Sequence, residues 1–147
     1  LRIMNKTIKH TFTFKQPAKE VWKYLTQAEL MAEWLMKTDF KPVMGHKFMF
    51  WSRAVPELNF DGNIYCEVHE IVPLKKLVYS WKSGAMDGTI NFESLVTWTL
   101  NAKGKGTELV LEHNGFKEKT HNMLYNAMNK GWESNVTKII NTLNATA

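Results

Sequence analysis

The feature that bears hardest on the fold is a change of hydrophobic period along the chain. Ile90, Phe92, Ser94, Val96, Trp98 and Leu100 alternate with Asn91, Glu93, Leu95, Thr97 and Thr99, and Thr107, Leu109, Leu111 and His113 alternate with Glu108, Val110, Glu112 and Asn114. A period of two places one set on a single face of a half-buried strand. From about Glu118 to Leu143 the spacing becomes three and four, through Leu124, Met128, Trp132, Val136, Ile139, Ile140 and Leu143. That is the apolar stripe of an amphipathic helix, ~38 Å long at 1.5 Å per residue. A sheet with one apolar face needs a cover, and this helix is the only element large enough to supply it.

The remaining segments fit that scheme. Ile8, His10, Phe12 and Phe14 alternate with Lys9, Thr11 and Thr13 as a first strand, which Gln16-Pro17 ends. Pro17 suits the first turn of a helix, and Val21, Trp22 and Leu25 carry helical spacing to Thr26. A second short helix is expected from Ala28 to Leu35. Further strands are predicted around Phe48 and Phe50, from Gly62 to Val72, and over Leu77, Tyr79 and Trp81. Ala54–Asn59 reads as a loop broken by Pro56, Ser83–Gly88 as a Gly-rich turn, Lys103–Gly106 as a hairpin turn, and Gly115 as a strand breaker. The side-chain parity changes near Glu70-Ile71, which predicts a bulge. Sequential strands with short turns imply an antiparallel meander. The expected fold is therefore α+β: a curved antiparallel sheet around a long C-terminal helix, with two short helices after the first strand. One helix cannot fill a strongly curved sheet from end to end, so a cavity between helix and sheet is expected. Gly131 lies in mid-helix, where Gly costs about 1 kcal/mol relative to Ala; close approach of the helix to the sheet is the expected reason.

At 147 residues the chain fits one domain over its full length, 1–147. Hydrophobic residues make up 44% and charged residues 22%, the profile of a globular chain, and no apolar run approaches the ~20 residues of a membrane span. The net charge of +5 could favour an acidic partner, but the basic residues come as pairs at turns or helix entries: Lys75-Lys76, Lys103/Lys105 and Lys117/Lys119. A nucleic-acid footprint would gather them on one face among aromatics, so no nucleic-acid partner is expected. The chain opens on Leu1-Arg2, with Met4 as a candidate start; Ile3-Met4 runs at once into Asn5-Lys6 and a strand pattern, unlike a signal peptide. A lone Cys66 in a strand excludes an internal disulfide and fits a reducing, cytoplasmic setting.

No catalytic set is assembled. His10, His46, His69, His113 and His121 fall on separate elements without a metal-ligand spacing, and no phosphate loop, dinucleotide fingerprint or nucleophile elbow occurs, so no metal or cofactor is expected. Cys66 has the parity of a small buried thiol. Glu70, at the expected bulge, could pair with a cation. His113 shares parity with Leu109 and Leu111. It is either a polar group at the cavity, able to orient a ligand or move a proton near neutral pH, or a histidine tied to a carbonyl or water. Phe48, Phe50, Tyr79, Trp81, Phe92 and Trp98 have inward parity, and Met123, Met128 and Trp132 belong to the helix. Together with His113 they are the expected lining of an adaptable apolar pocket.

Several stretches resemble the START-like (SRPBCC) superfamily, whose architecture is the helix-grip fold. They are Pro17-Ala18-Lys19-Glu20-Val21-Trp22, Trp34, Gly45 ahead of Phe48 and Phe50, Glu70-Ile71-Val72-Pro73, Leu77-Val78-Tyr79-Ser80-Trp81, Thr107-Glu108-Leu109, His113, Gly115-Phe116 and Gly131-Trp132. Within the superfamily the chain is most similar to proteins homologous to the C-terminal domain of the activator of the heat-shock-protein-90 ATPase. His46 stands where that family often has a second Gly. The fold hosts carriers, cyclases and cochaperone domains. The expected function is binding of a small apolar or aromatic molecule, as a carrier or sensor. The alternatives are a polyketide cyclase- or aromatase-like enzyme, for which His113 and Tyr79 are the polar candidates, and a cochaperone-like module whose partner is a chaperone or another protein.

Overall fold

In the computed structural model, which describes residues 5–146, the alternating segments are strands β1 (Asn5–Phe14), β2 (Lys37–Thr38), β3 (Lys47–Trp51), β4 (Asn63–Val72), β5 (Lys76–Gly84), β6 (Ile90–Lys103) and β7 (Gly106–Lys117). The helices are α1 (Ala18–Thr26), α2 (Ala28–Trp34) and α3 (Asn122–Ala145), with a 3₁₀ turn at Pro56–Leu58. The expected features at Leu1-Arg2 and Ile3-Met4 lie outside the described residues.

All seven strands join one antiparallel sheet in the order β1-β7-β6-β5-β4-β3-β2. From β2 to β7 the strands follow one another as a meander, and β1 closes the far side by pairing Asn5–Phe14 against Lys117–Thr107. The register puts the apolar sets opposite one another: Phe50 faces Ile64, Tyr79 faces Val96, and Trp98 faces both Leu77 and Leu111. These side chains share the concave face and are buried. Thus the helix-grip α+β architecture expected from the change of period is the one observed.

α1 touches β6 and β7, α2 touches α3, and α3 lies along β1 and β7. The indole of Trp34 donates to the Tyr24 carbonyl at 2.7 Å, which locks α1 to α2. The same ring meets Trp98 edge-on, with centroids 5.9 Å apart. Because α3 sits over one side of the sheet, bulky aromatics span the rest. Trp132 reaches Trp81 at 5.3 Å and Trp98 at 5.5 Å between centroids.

Four local expectations need correction or refinement. Gly115 bends β7 rather than ending it: at φ +115° it sits between Lys6↔Phe116 and Thr7↔Asn114, where the register shifts. A Cβ there would lie 2.8 Å from the Glu93 carbonyl oxygen, so only Gly fits. The bulge expected at Glu70-Ile71 falls one step earlier, between Val68 and Glu70. Glu70 pairs across the hairpin with Lys76 at 3.4 Å. Ser83 and Gly84 belong to β5 rather than to a turn. Finally, Gly131 does not face the sheet at close range: a Cβ built on it meets nothing within 4 Å. It borders an open cleft instead.

With that space available, Gly131→Ala should gain the helix-propensity difference. Urea unfolding of the variant is expected to show stabilisation of about 0.5–1 kcal/mol. Unchanged or reduced stability would mean that the backbone at 131 is held by something other than helix geometry.

Candidate functional site

The concave face carries a buried polar chain at its centre. His113 on β7 is fully buried, and both ring nitrogens are engaged. The Trp132 indole N–H donates to His113 Nδ1 at 3.0 Å, and His113 Nε2 lies 2.8 Å from Ser94 Oγ. Ser94 Oγ in turn donates to the Trp81 carbonyl at 2.8 Å. An indole can only donate. Nδ1 is therefore the acceptor, Nε2 carries the hydrogen, and the imidazole is neutral. Burial holds the His113 pKa down at about 3, against the ordinary 6.5. Around it Trp81, Phe92, Phe116 and Trp132 pack with ring centroids within 5.9 Å.

A second polar contact lies deeper: Trp98 Nε1 donates to the Tyr79 hydroxyl at 3.0 Å. Burial pushes the Tyr79 pKa up, so the phenol stays protonated. Phe48 and Phe50 close over it at 5.4 Å and 6.1 Å. Cys66 is buried on the same face, and desolvation raises its thiol, with Asp39 adding to the effect. A thiol so placed is unreactive.

The open space lies between the N-terminal half of α3 and the β3–β5 half of the sheet. One section, about 170 Å³, runs past Leu35, Met36, Trp81, Met128, Gly131 and Trp132. An adjoining section of about 190 Å³ shares Met36, Trp81 and Met128 and continues to Phe60, Ser83 and Leu124. It leads into an outer chamber of about 570 Å³, bounded by Phe60, Ser83, Phe92, Lys119, Met123 and Leu124 among others. The β3–β4 connection forms one wall. It is held by a Val55↔Phe60 bridge and by Asn59 in the left-handed conformation at φ 51°.

The expected lining residues therefore separate into groups. Trp81, Met128 and Trp132 meet at the inner cleft, while Phe92 and Met123 border the outer chamber. Met123 is 64% exposed and stands at the rim rather than in a lining. Phe48, Phe50, Tyr79, Trp98 and His113 border none of these spaces; they interdigitate as core. Met36, Phe60, Ser83 and Leu124, which were not among the expected lining residues, complete the walls. Met36 and Phe60 lie in connections, where no period tells which way a side chain points. Ser83 does continue the parity of Tyr79 and Trp81 at the end of β5. That continuation was its sequence signal, masked by the turn-like composition of residues 83–88.

Comparison with known proteins follows the same architecture. The family model described as Activator of Hsp90 ATPase homolog 1-like protein matches residues 15–144. The structure of protein MLL2253 from Mesorhizobium loti superposes with a TM-score of 0.85 at 32% identity, covering 97% of this chain and 99% of that one. BH1534 from Bacillus halodurans gives 0.72 at 25% identity, over 95% and 99%. The Aha1 dimer structure from Colwellia psychrerythraea gives 0.71 at 17% identity, over 94% and 96%, a likeness of fold alone. A search of curated proteins finds no match.

The neutral, buried His113 has a consequence for pH. Its folded pKa lies below the unfolded value, so between pH 6.5 and about 3 the unfolded chain binds a proton that the folded chain does not. The contribution of His113 is thus fully present above pH 6.5 and is lost as pH falls towards 3. Gln can replace both contacts without titrating. In urea unfolding, the wild type is expected to lose more stability than His113→Gln between pH 6 and pH 4, by roughly 2–3 kcal/mol. Equal losses would show that His113 takes up its proton in the folded state.

Proposed function

Because this chain belongs to the Activator of Hsp90 ATPase homolog 1-like family of the START-like superfamily, we propose that it binds a small apolar or aromatic molecule, as a carrier or sensor. The observation that carries this reading is the continuous cleft beside α3, whose inner sections share Met36, Trp81 and Met128. Two flexible thioethers against an indole form an apolar wall that can adapt to ligand shape. The section bordered by Gly131 and Asn135 is open at the surface, so a ligand has a path in without unfolding the core. The bound molecule would lie against Trp81 and Trp132, with the deeper aromatics as a rigid floor.

A cyclase-like reaction would need a group that exchanges a proton with the substrate. His113 and Tyr79, its polar candidates, face protein on all sides, so no observation favours catalysis over binding. The chaperone-partner alternative rests on the family relationship alone.

The neutral fluorophore N-phenyl-1-naphthylamine should bind at about one per chain, quench tryptophan emission and raise Tm. A ligand selective for the folded state stabilises by about 2.7 kcal/mol at a hundred times Kd. Met128→Trp, which fills the section common to both inner spaces, should abolish binding while circular dichroism and cooperative unfolding persist. Absence of binding to the wild type would overturn the reading. So would undiminished binding to the folded variant.

A further inference from the structure

We propose that the cleft takes an amphipathic monocarboxylate, with its apolar body beside Met36, Trp81 and Met128 and its carboxylate held in the outer chamber by Ser83, Lys119 and the first turn of α3. This rests on the cleft being a binding site and names the chemistry of the end of the ligand beside the α3 N-terminus.

Ser83 is the first observation. It is only 6% exposed, on the concave face opposite Ile64 and Phe92, and it borders both the middle section and the outer chamber. Among the described residues its hydroxyl has no hydrogen-bond partner. The rest of the side chain is packed away, and the hydroxyl is open to the cleft, where it is free to donate to a ligand.

The second observation is the start of α3, a helix of 24 residues whose N-terminus forms the opposite wall. His121 caps it without a side-chain hydrogen bond to the helix, because its ring is spent elsewhere: Nδ1 accepts from the Lys117 N–H at 2.9 Å, and Nε2 faces the Asn91 carbonyl at 3.3 Å. The Asn122 N–H makes only a 3.4 Å contact with the Lys119 carbonyl, and Tyr125 N–H reaches His121 at 2.8 Å. The N–H groups of Met123 and Leu124, between them, have no acceptor among the described residues. Apart from the Glu57 carboxylate, the groups this end of the cleft offers to a ligand include four donors: the Ser83 hydroxyl, two backbone amides at the positive end of a helix dipole, and the Lys119 ammonium.

An ionised carboxylate only accepts hydrogen bonds and can satisfy several such donors at once. An ammonium head group cannot accept from any of them. Glu57 is the one carboxylate bordering the same chamber. It is exposed on the 3₁₀ turn, where water screens it, whereas Ser83 and the amides are fixed in the wall. Lys119, equally exposed, offsets that charge, and the preference is set by the fixed donors.

The test uses three probes of equal chain length, octanoate, octanol and octylammonium, titrated calorimetrically into the full chain at pH 7. Octanoate should bind about tenfold tighter than octanol, as charge-assisted hydrogen bonds do against neutral ones, and octylammonium weakest of the three. Ser83→Ala, a change of one hydroxyl that leaves the fold intact, should weaken octanoate about fivefold to tenfold. Lys119→Gln should lower the octanoate-to-octanol ratio about threefold and leave octanol itself unchanged. Equal affinity for octanoate and octanol would overturn the head-group assignment while leaving the apolar cleft standing, and so would a preference for octylammonium. A preference for octanoate that neither substitution moves would place the carboxylate elsewhere and overturn it as well. Failure of all three probes, with N-phenyl-1-naphthylamine also unbound, would overturn both readings.

Discussion

A single helix has to cover a sheet too wide for it. Seven strands at ~4.8 Å spacing span ~29 Å, whereas a helix with its side chains is about 10–12 Å across. Each concave side chain left uncovered would forfeit about 1.5–3 kcal/mol of burial. The chain meets this in three ways. It curves the sheet, with Gly115 bending β7 towards β1. It sets the largest rings where the gap is widest, so that Trp81, Trp98 and Trp132 bridge between sheet and helix. It also folds α1, α2 and the β3–β4 connection against the remaining openings. The cleft is what these devices leave over, between the N-terminal half of α3 and the β3–β5 side of the sheet.

The buried polar chain explains why α3 settles in one orientation. Apolar packing alone tolerates rotation of a helix by part of a turn, since Trp132, Val136 and Ile139 could meet the sheet at several angles. The contact from Trp132 to His113 does not tolerate it, because rotation would leave Nδ1 without a donor at the cost of about 1–3 kcal/mol. His113 is tied through Ser94 to the backbone of β5, so this one contact registers α3 against β5, β6 and β7 together. The same orientation turns Met128 and Gly131 towards the cleft, whose position thus follows from the contact that Trp132, itself part of its wall, makes with the core.

The periodic part of this architecture was legible in the residues. Strand alternation fixes which side chains share a face, and the helical stripe from Leu124 to Leu143 fixes the cover, so the meander and the inward aromatics followed, whereas the pairing of β1 with β7 and the short strand β2 did not. A shared face, however, is only a direction. Phe50, Tyr79 and Trp98 point inward as surely as Trp81 does, yet they meet other rings while Trp81 meets space. That depends on where α3 comes to rest, which no periodicity encodes. Gly131 shows the same limit. Its lack of a side chain was read as room for the sheet to approach, and it turned out to be room left open. His113 was legible as inward and polar, but its partners come from β6 and α3, and only the folded chain brings them within reach.

The pairing of β1 with β7 joins Asn5 to Lys117, and the helix that covers both is made after every strand. On the ribosome, β1 must wait through the synthesis of the entire meander before its partner exists. The concave rings of β3 to β6 have only α1 and α2 for cover until α3 emerges. Contacts of such sequence separation close slowly, and apolar strands awaiting them are exposed to mispairing. The nascent chain therefore spends most of its synthesis with its aromatic face open. Its passage to the native state is governed less by the strength of any core contact than by how soon the last helix arrives.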